Sequence, residues 1–186
     1  GIKLYGGIEV TSWEKNATIE VQTTASYQLK TKNLIVCTNA FTSKLIDEDI
    51  VPARGQVIVS ERVDDLPCEG TYMYDQGYYY WRDIDNRILL GGARNKDIFG
   101  ETSLDLATND TVITELKRFM NEHIFGREVS IDYEWSGIMG MGKDHKKTPI
   151  VKEIESNIYL AARLGGMGVA LSAVVANDVV NLIKNA

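Results

Sequence analysis

Two cysteines, two histidines and three prolines are all that this chain of 186 residues has of the side chains that most often staple, metallate or break a fold. Cys37 sits in the apolar run Leu34-Ile35-Val36-Cys37 and reads as a buried thiol, while Cys68, between Pro67 and Glu69, reads as a loop residue. Two such cysteines make no disulfide framework, and a reducing, cytoplasmic setting fits best. The sequons at Asn16-Ala17-Thr18 and Asn109-Asp110-Thr111 then carry little weight. His123 falls on a helix and His145 in the loop Lys143-Asp144-His145-Lys146-Lys147. With no cysteine or carboxylate grid around them they predict no metal site, and neither has a placed partner for a nucleophilic triad. A basic cluster is also missing, and the net charge is −6. That argues against a nucleic-acid partner, which needs a cationic face. No apolar run is long enough to span a bilayer. The start, Gly1-Ile2-Lys3-Leu4-Tyr5, lacks the basic-then-apolar pattern of a signal peptide.

What is present is an ordinary globular composition, 44% hydrophobic and 25% charged, enough for one domain or two small lobes. Ile19–Thr23 and Tyr27–Thr31 alternate as half-buried strands do, and Leu34–Cys37, apolar on both faces, reads as a central strand. Phe41–Ile46 suggests a short helical turn. Pro52-Ala53-Arg54-Gly55 reads as a break before a strand at 56–61. Tyr72–Tyr74 is another strand candidate. Tyr78–Asp83 and Arg87–Gly92 flank Asp85-Asn86, a pair that accepts positive φ, and so predict a hairpin. Val112, Ile113, Leu116, Phe119, Met120 and Ile124 give one apolar face to a helix over 110–124, capped by Thr108 or Asn109 and stopped by Gly126. Val129–Trp135 alternates again, a Gly/Met/Lys-rich loop follows over 136–148, then a strand at 158–162 and a long apolar helix at 169–184. The order predicts a mixed α+β chain without internal repeats. It begins in mid-pattern, as a piece of a larger protein would.

The most informative stretch is Asn157-Ile158-Tyr159-Leu160-Ala161-Ala162-Arg163-Leu164-Gly165-Gly166-Met167-Gly168-Val169-Ala170-Leu171. A strand hands over to a helix through Gly165, Gly166 and Gly168. Such a loop lets a ligand approach the backbone and aims unpaired N–H groups at an electron-rich group. The alternative is a tight turn that only packs helix on sheet.

Four segments in order carry a resemblance: Leu34–Leu45 around Thr38-Asn39-Ala40, then Val51-Pro52-Ala53-Arg54-Gly55-Gln56-Val57, then Tyr80-Trp81-Arg82 through Gly91-Gly92, and last Trp135-Ser136-Gly137-Ile138-Met139-Gly140 through Pro149-Ile150-Val151 to Leu171. Together they resemble the D-amino-acid oxidase superfamily of FAD-dependent oxidoreductases, which includes glycine, sarcosine and polyamine-type amine oxidases. The resemblance implies an FAD-binding domain interwoven with an antiparallel, β-rich substrate domain. Residues 1–51 and 135–186 would belong to the former, the last part carrying the flavin loop and a long C-terminal helix, and 52–134 to the latter. The family's N-terminal G-x-G-x-x-G fingerprint is absent here. The resemblance therefore implies the C-terminal portion of a longer enzyme, binding FAD weakly or not at all in isolation.

Residue by residue, the resemblance assigns Arg163, Leu164, Gly165, Gly166, Met167, Gly168 and Gly137 to the flavin. Thr38, Asn39 and Ala40 go to the ribose–diphosphate region, and the backbone of Val10 to the adenine. Arg54, Gln56, Tyr80, Arg82 and Met139 would border the substrate. Three departures stand out. Met167 replaces a residue that is His in several relatives. Arg163 replaces the usual glycine, its charge either favouring the anionic reduced flavin or facing solvent. Met139 stands where amino-acid oxidases carry a carboxylate-binding arginine. That shifts weight toward an amine, or toward a carboxylate held by Arg82 or Arg94, with Tyr78–Trp81 as an aromatic wall. Arg54 could instead pair with a carboxylate. The implied activity is oxidation of an amine or amino acid by hydride transfer to non-covalent FAD. The alternatives are oxidation of a hydroxy acid or glycerol phosphate, or a non-catalytic binding or scaffold domain. The oligomeric state is left open.

Overall fold

The computed structural model describes residues 1–25, 28–143 and 146–185. Two compact units result, Gly1–Val51 with Gly140–Ala186, and Pro52–Met139. Tyr27, placed in a strand above, and His145 lie outside the described residues.

In the first unit, β1 (Val10–Lys15), β2 (Ile19–Thr23) and β3 (Leu29–Thr31) form an antiparallel sheet in that order. Ile19 and Val21, alternating along β2, are buried beneath it. A second sheet has the order β10 (Ile150–Glu155), β11 (Ile158–Ala162), β4 (Leu34–Val36), with β11 antiparallel to β10 and parallel to β4. All five residues of β11 are buried, so β11 is the central strand. β4 is not central, as its two apolar faces suggested. It lies at the edge, Ile35 is 42% exposed, and Cys37 is exposed rather than buried. Composition records which faces of a strand are apolar, not how many of its edges are paired. The sequence also concealed β10, which reaches β11 through a turn at Asn157 (φ 65). The helix α2 (Gly168–Asn185) packs Val175 and Val179 onto Ala161.

The second unit holds a five-stranded sheet in the order β6 (Thr71–Tyr74), β7 (Tyr79–Ile84), β8 (Arg87–Gly92), β5 (Val51–Ser60), β9 (Ile131–Met141). Asp85 and Asn86 take φ 49 and 58, the two-residue turn that matches strand twist, and close the β7–β8 hairpin. Two expectations fail here. Pro52 does not break the chain. It is the second residue of β5, ahead of the pairing with β8 that begins at Gln56, where its missing N–H costs that ladder nothing. Residues 136–141 are not loop, because β9 runs on to Met141.

The helix α1 (Asp110–Phe119) starts at Asn109, whose side chain accepts from the Thr111 N–H, and continues through a wider turn over Met120–Phe125 to Gly126 (φ 66). Val112, Ile113, Leu116, Phe119 and Met120 bury one helix face against Ile58, Tyr79, Ile88 and Leu90. The architecture is α+β, rich in antiparallel strands, with a C-terminal helix.

Candidate functional site

In the first unit the carboxyl ends of the parallel pair β4 and β11 bring together Thr38, Asn39 and Ala40 with residues 163–168. Strand ends of this kind are where ligands settle in open α/β sheets. The Asn39 side chain (φ 46 at its backbone) accepts from the Leu164 N–H at 3.2 Å. The Gly165 N–H donates to the Gly140 carbonyl at 3.0 Å. Gly140 is required there, because a Cβ would stand 2.7 Å from Asn39 Oδ1 and 3.1 Å from the Ala40 nitrogen. Thr38 shares a hydroxyl hydrogen bond with buried Thr42.

Beyond Gly165 the loop opens. Gly166 is exposed, Met167 is 55% exposed and Val169 99%. Among the described residues the N–H groups of Gly166, Gly168, Val169 and Ala170 have no acceptor, and the last three begin an 18-residue helix. Four unpaired donors and a helix dipole suit an electron-rich group. The chain thus fits the edge of a flavin at this loop, and it carries no glycine fingerprint for a pyrophosphate.

Arg163 is 9% exposed, so its side chain does not face solvent. It donates to the Thr148 carbonyl and to Asp49. The hydrogen bond from the Lys143 N–H, followed by the charge of Arg163, holds the Asp49 carboxyl below its usual range. Val10, at the start of β1, is half-buried and packs beside Ile19 and Val21, among its own sheet rather than in this cluster.

The remaining candidates belong to the second unit, and its sheet divides them between two faces. Strand alternation and register put Arg54, Gln56 and Ile58 of β5 on the side covered by α1. Of the two readings of Arg54, the ion pair is the one observed. Its Nε and NH2 donate to Glu101 Oε1 at 3.1 and 2.9 Å, and Gln56 donates to Glu101 Oε2 at 2.9 Å. Asn109 adds a fourth bond to Glu101, which is wholly buried.

Tyr80 and Arg82 point to the opposite face, with Val57, Leu89 and Gly91 in register beside them. Gly91 lets the Tyr80 ring lie flat on the sheet, since a Cβ would sit 2.6 Å from that ring. Met139 reaches the bare side of Gly55, 3.3 Å from the position of an added Cβ, and Gly137 shares its face by alternation. Trp135 follows the same alternation and is exposed. Arg94, the other candidate for a carboxylate, bonds to Thr102, and its Nε is buried without a partner among the described residues.

Sequence reasoning missed Asp49, Glu101 and Gly140. Asp49 and Glu101 lie 114 and 47 residues from their arginines, a separation no local pattern reports. Gly140 left a trace in the spacing of Gly137, Gly140 and Gly142, which marks close backbone approach.

Residues 1–182 match the family described as DAO, FAD dependent oxidoreductase. The chain belongs to this family. Solved structures share its fold: glycine oxidase from Geobacillus kaustophilus (TM-score 0.81, 16% identity, covering 98% of this chain and 50% of that one), L-proline dehydrogenase from P. horikoshii (0.76, 20%, 96% and 50%) and L-amino acid deaminase from Proteus vulgaris (0.70, 18%, 100% and 47%). The chain spans about half the length of these structures. No curated protein matches the sequence. No helix among the described residues is long and apolar enough to cross a membrane.

Proposed function

We propose that this DAO-family chain is the C-terminal portion of an enzyme that oxidises an amine or amino acid with FAD. The observation that carries the reading is the loop 163–168, exposed at Gly166 and Met167, whose continuation into α2 leaves four backbone N–H groups without an acceptor among the described residues. FAD bound there would accept a hydride from the carbon bearing the substrate nitrogen. The amides of Gly166, Gly168, Val169 and Ala170 would hold the negative charge that builds up at the flavin edge. Thr38, Asn39 and Ala40 would line the neighbouring strand end.

On this reading residues 1–51 and the C-terminal segment form the FAD-binding part, and the β-rich middle the substrate part. Tyr80, Arg82, Gly137 and Met139 share the face that α1 leaves bare; Tyr80, Arg82 and Met139 would border the substrate, and Gly137 the flavin. Arg54 and Gln56 would act from behind, by holding β5 to Glu101. Tyr80 offers an aromatic surface to an amine nitrogen, and Arg82 a guanidinium to a carboxylate. No protein acid or base is needed if the amine arrives neutral.

The test is a flavin titration of the chain and of the polypeptide encoded with any upstream reading frame, followed by a screen of amines, amino acids, hydroxy acids and glycerol phosphate. Flavin absorbance in the longer protein with turnover of an amine or amino acid supports the reading. A colourless longer protein after FAD addition favours a non-catalytic scaffold of the same fold. Turnover only of hydroxy acids or glycerol phosphate removes the amine assignment.

A further inference from the structure

The loop at the end of β11 opens with a left-handed residue that is not glycine. Arg163 has φ 62, a region that side chains with a Cβ rarely enter. Such conformations persist where surrounding contacts over-determine them, and Arg163 has those contacts. Its Nε donates to the Thr148 carbonyl at 2.8 Å, and its NH1 donates to the Asp49 carbonyl at 3.1 Å and to Asp49 Oδ2 at 2.7 Å. Asp49 is itself anchored, because its Oδ1 accepts from the Lys143 N–H at 2.8 Å. Gly142 leaves room for the stem, since a Cβ there would be 3.3 Å from Arg163 Cδ. One guanidinium therefore ties three separated segments, at residues 49, 148 and 163. The next two N–H groups are also held, Leu164 by Asn39 and Gly165 by Gly140. After them come the unpaired donors.

We infer that Arg163 is the positioning residue of this loop: anchored on Asp49 and Thr148, it fixes the left-handed turn that turns the Gly166, Gly168, Val169 and Ala170 amides outward. A glycine would reach the same turn by conformational freedom. The arginine reaches it through a side-chain latch, which makes the turn one state rather than one of several. The latch is a property of the chain without ligand, so it stands apart from the flavin reading; only its use in holding FAD rests on that reading.

The test uses the 186-residue chain as Arg163→Gly, Arg163→Lys, Asp49→Asn and the double variant Asp49→Asn with Arg163→Gly. Glycine is chosen because it accepts the backbone angle without strain, so the variant keeps the fold. The readouts are residue-resolved amide exchange and the amide NMR shifts of residues 164–171. Arg163→Gly and Asp49→Asn are each expected to speed exchange at Leu164, Gly165 and Met167 by about five- to tenfold, the range expected for losing one ordinary protein hydrogen bond. The shifts of Gly166–Ala170 move with them, while the β2 and α1 amides keep their protection. Arg163→Lys recovers part of the effect, and the double variant adds little to either single change. Unchanged exchange at Leu164 and Gly165 in both single variants overturns the inference, as does a loss of protection spread evenly over the chain. FAD titration of the same variants separates the two readings. It is made on the longer protein, since the isolated chain is expected to bind FAD weakly or not at all; a latch effect with no flavin binding by any form of that protein sinks the proposed function and leaves the latch.

Discussion

Among the described residues each unit buries one arginine and pairs it with a carboxylate, and the two pairs do different work. In the second unit Arg54 and Glu101 are both buried, and Glu101 takes four side-chain hydrogen bonds, from Arg54 twice, Gln56 and Asn109. A backbone bond from the Arg54 N–H to the Glu101 carbonyl adds to the seam. In the first unit Arg163 is nearly as buried, but Asp49 keeps 30% of its side chain in solvent and is one of several carboxylates near lysines. The first pair replaces water inside a fold; the second restrains a loop at the surface. A buried pair is costly to break because the survivor keeps an uncompensated charge, whereas a partly wet pair lets water take over.

The largest expected effect follows from that contrast. Glu101→Ala leaves Arg54 buried and unpaired, and should cost the second unit about 3–5 kcal/mol in chemical denaturation. Asp49→Ala in the same assay should cost about 1 kcal/mol or less. Equal losses would remove the distinction drawn between the pairs. Next comes Asn109→Ala, which deletes both the α1 cap and donors to Asp97 and Glu101. It should cost about 1–2 kcal/mol, and less in a Glu101→Ala background if the two belong to one network.

Gly140→Ala probes the loop side. The new Cβ must displace Asn39, whose oxygen serves the Leu164 N–H, for about 1–3 kcal/mol. Its amide shift changes should centre on residues 39 and 164.

The smallest effect is one of pH. Hydrogen bonds from Arg118, and then from Tyr79, bring the Glu115 carboxyl down to about 2. A carboxylate with a depressed native value stabilises the fold fully above the ordinary carboxylate range and loses that contribution as pH falls toward 2. The unfolding midpoint of Glu115→Gln should therefore approach that of the wild type as the pH drops through this window. A constant gap between them would refute the assignment.

Local chemistry in the sequence reported the local parts of this structure. Asp85-Asn86 announced the hairpin, apolar spacing from Val112 to Met120 drew the buried stripe of α1, and the glycines at 165, 166 and 168 marked the strand-to-helix loop. Pairing across the chain was not legible. Leu34–Cys37 showed apolar residues, yet nothing in it told that, among the described residues, β4 pairs along one edge only. Pro52 looked like a break because a lone proline does not reveal where its strand's ladder begins. The methionines and glycines of 136–141 resemble loop, and become strand only because β5 is there to receive β9. The partners of Arg54 and Arg163 had no sequence signal, since any of the chain's many acidic residues would have satisfied the same local pattern.

The sheet of the second unit leaves a lasting asymmetry. The α1 stripe and the Glu101 seam lie on one side, while Tyr80, Arg82, Gly137 and Met139 stand on the other. Exchanges among those outward residues leave the α1 stripe and the Glu101 seam untouched, so that face can change while the scaffold holds. A protein built this way adapts by repainting one wall.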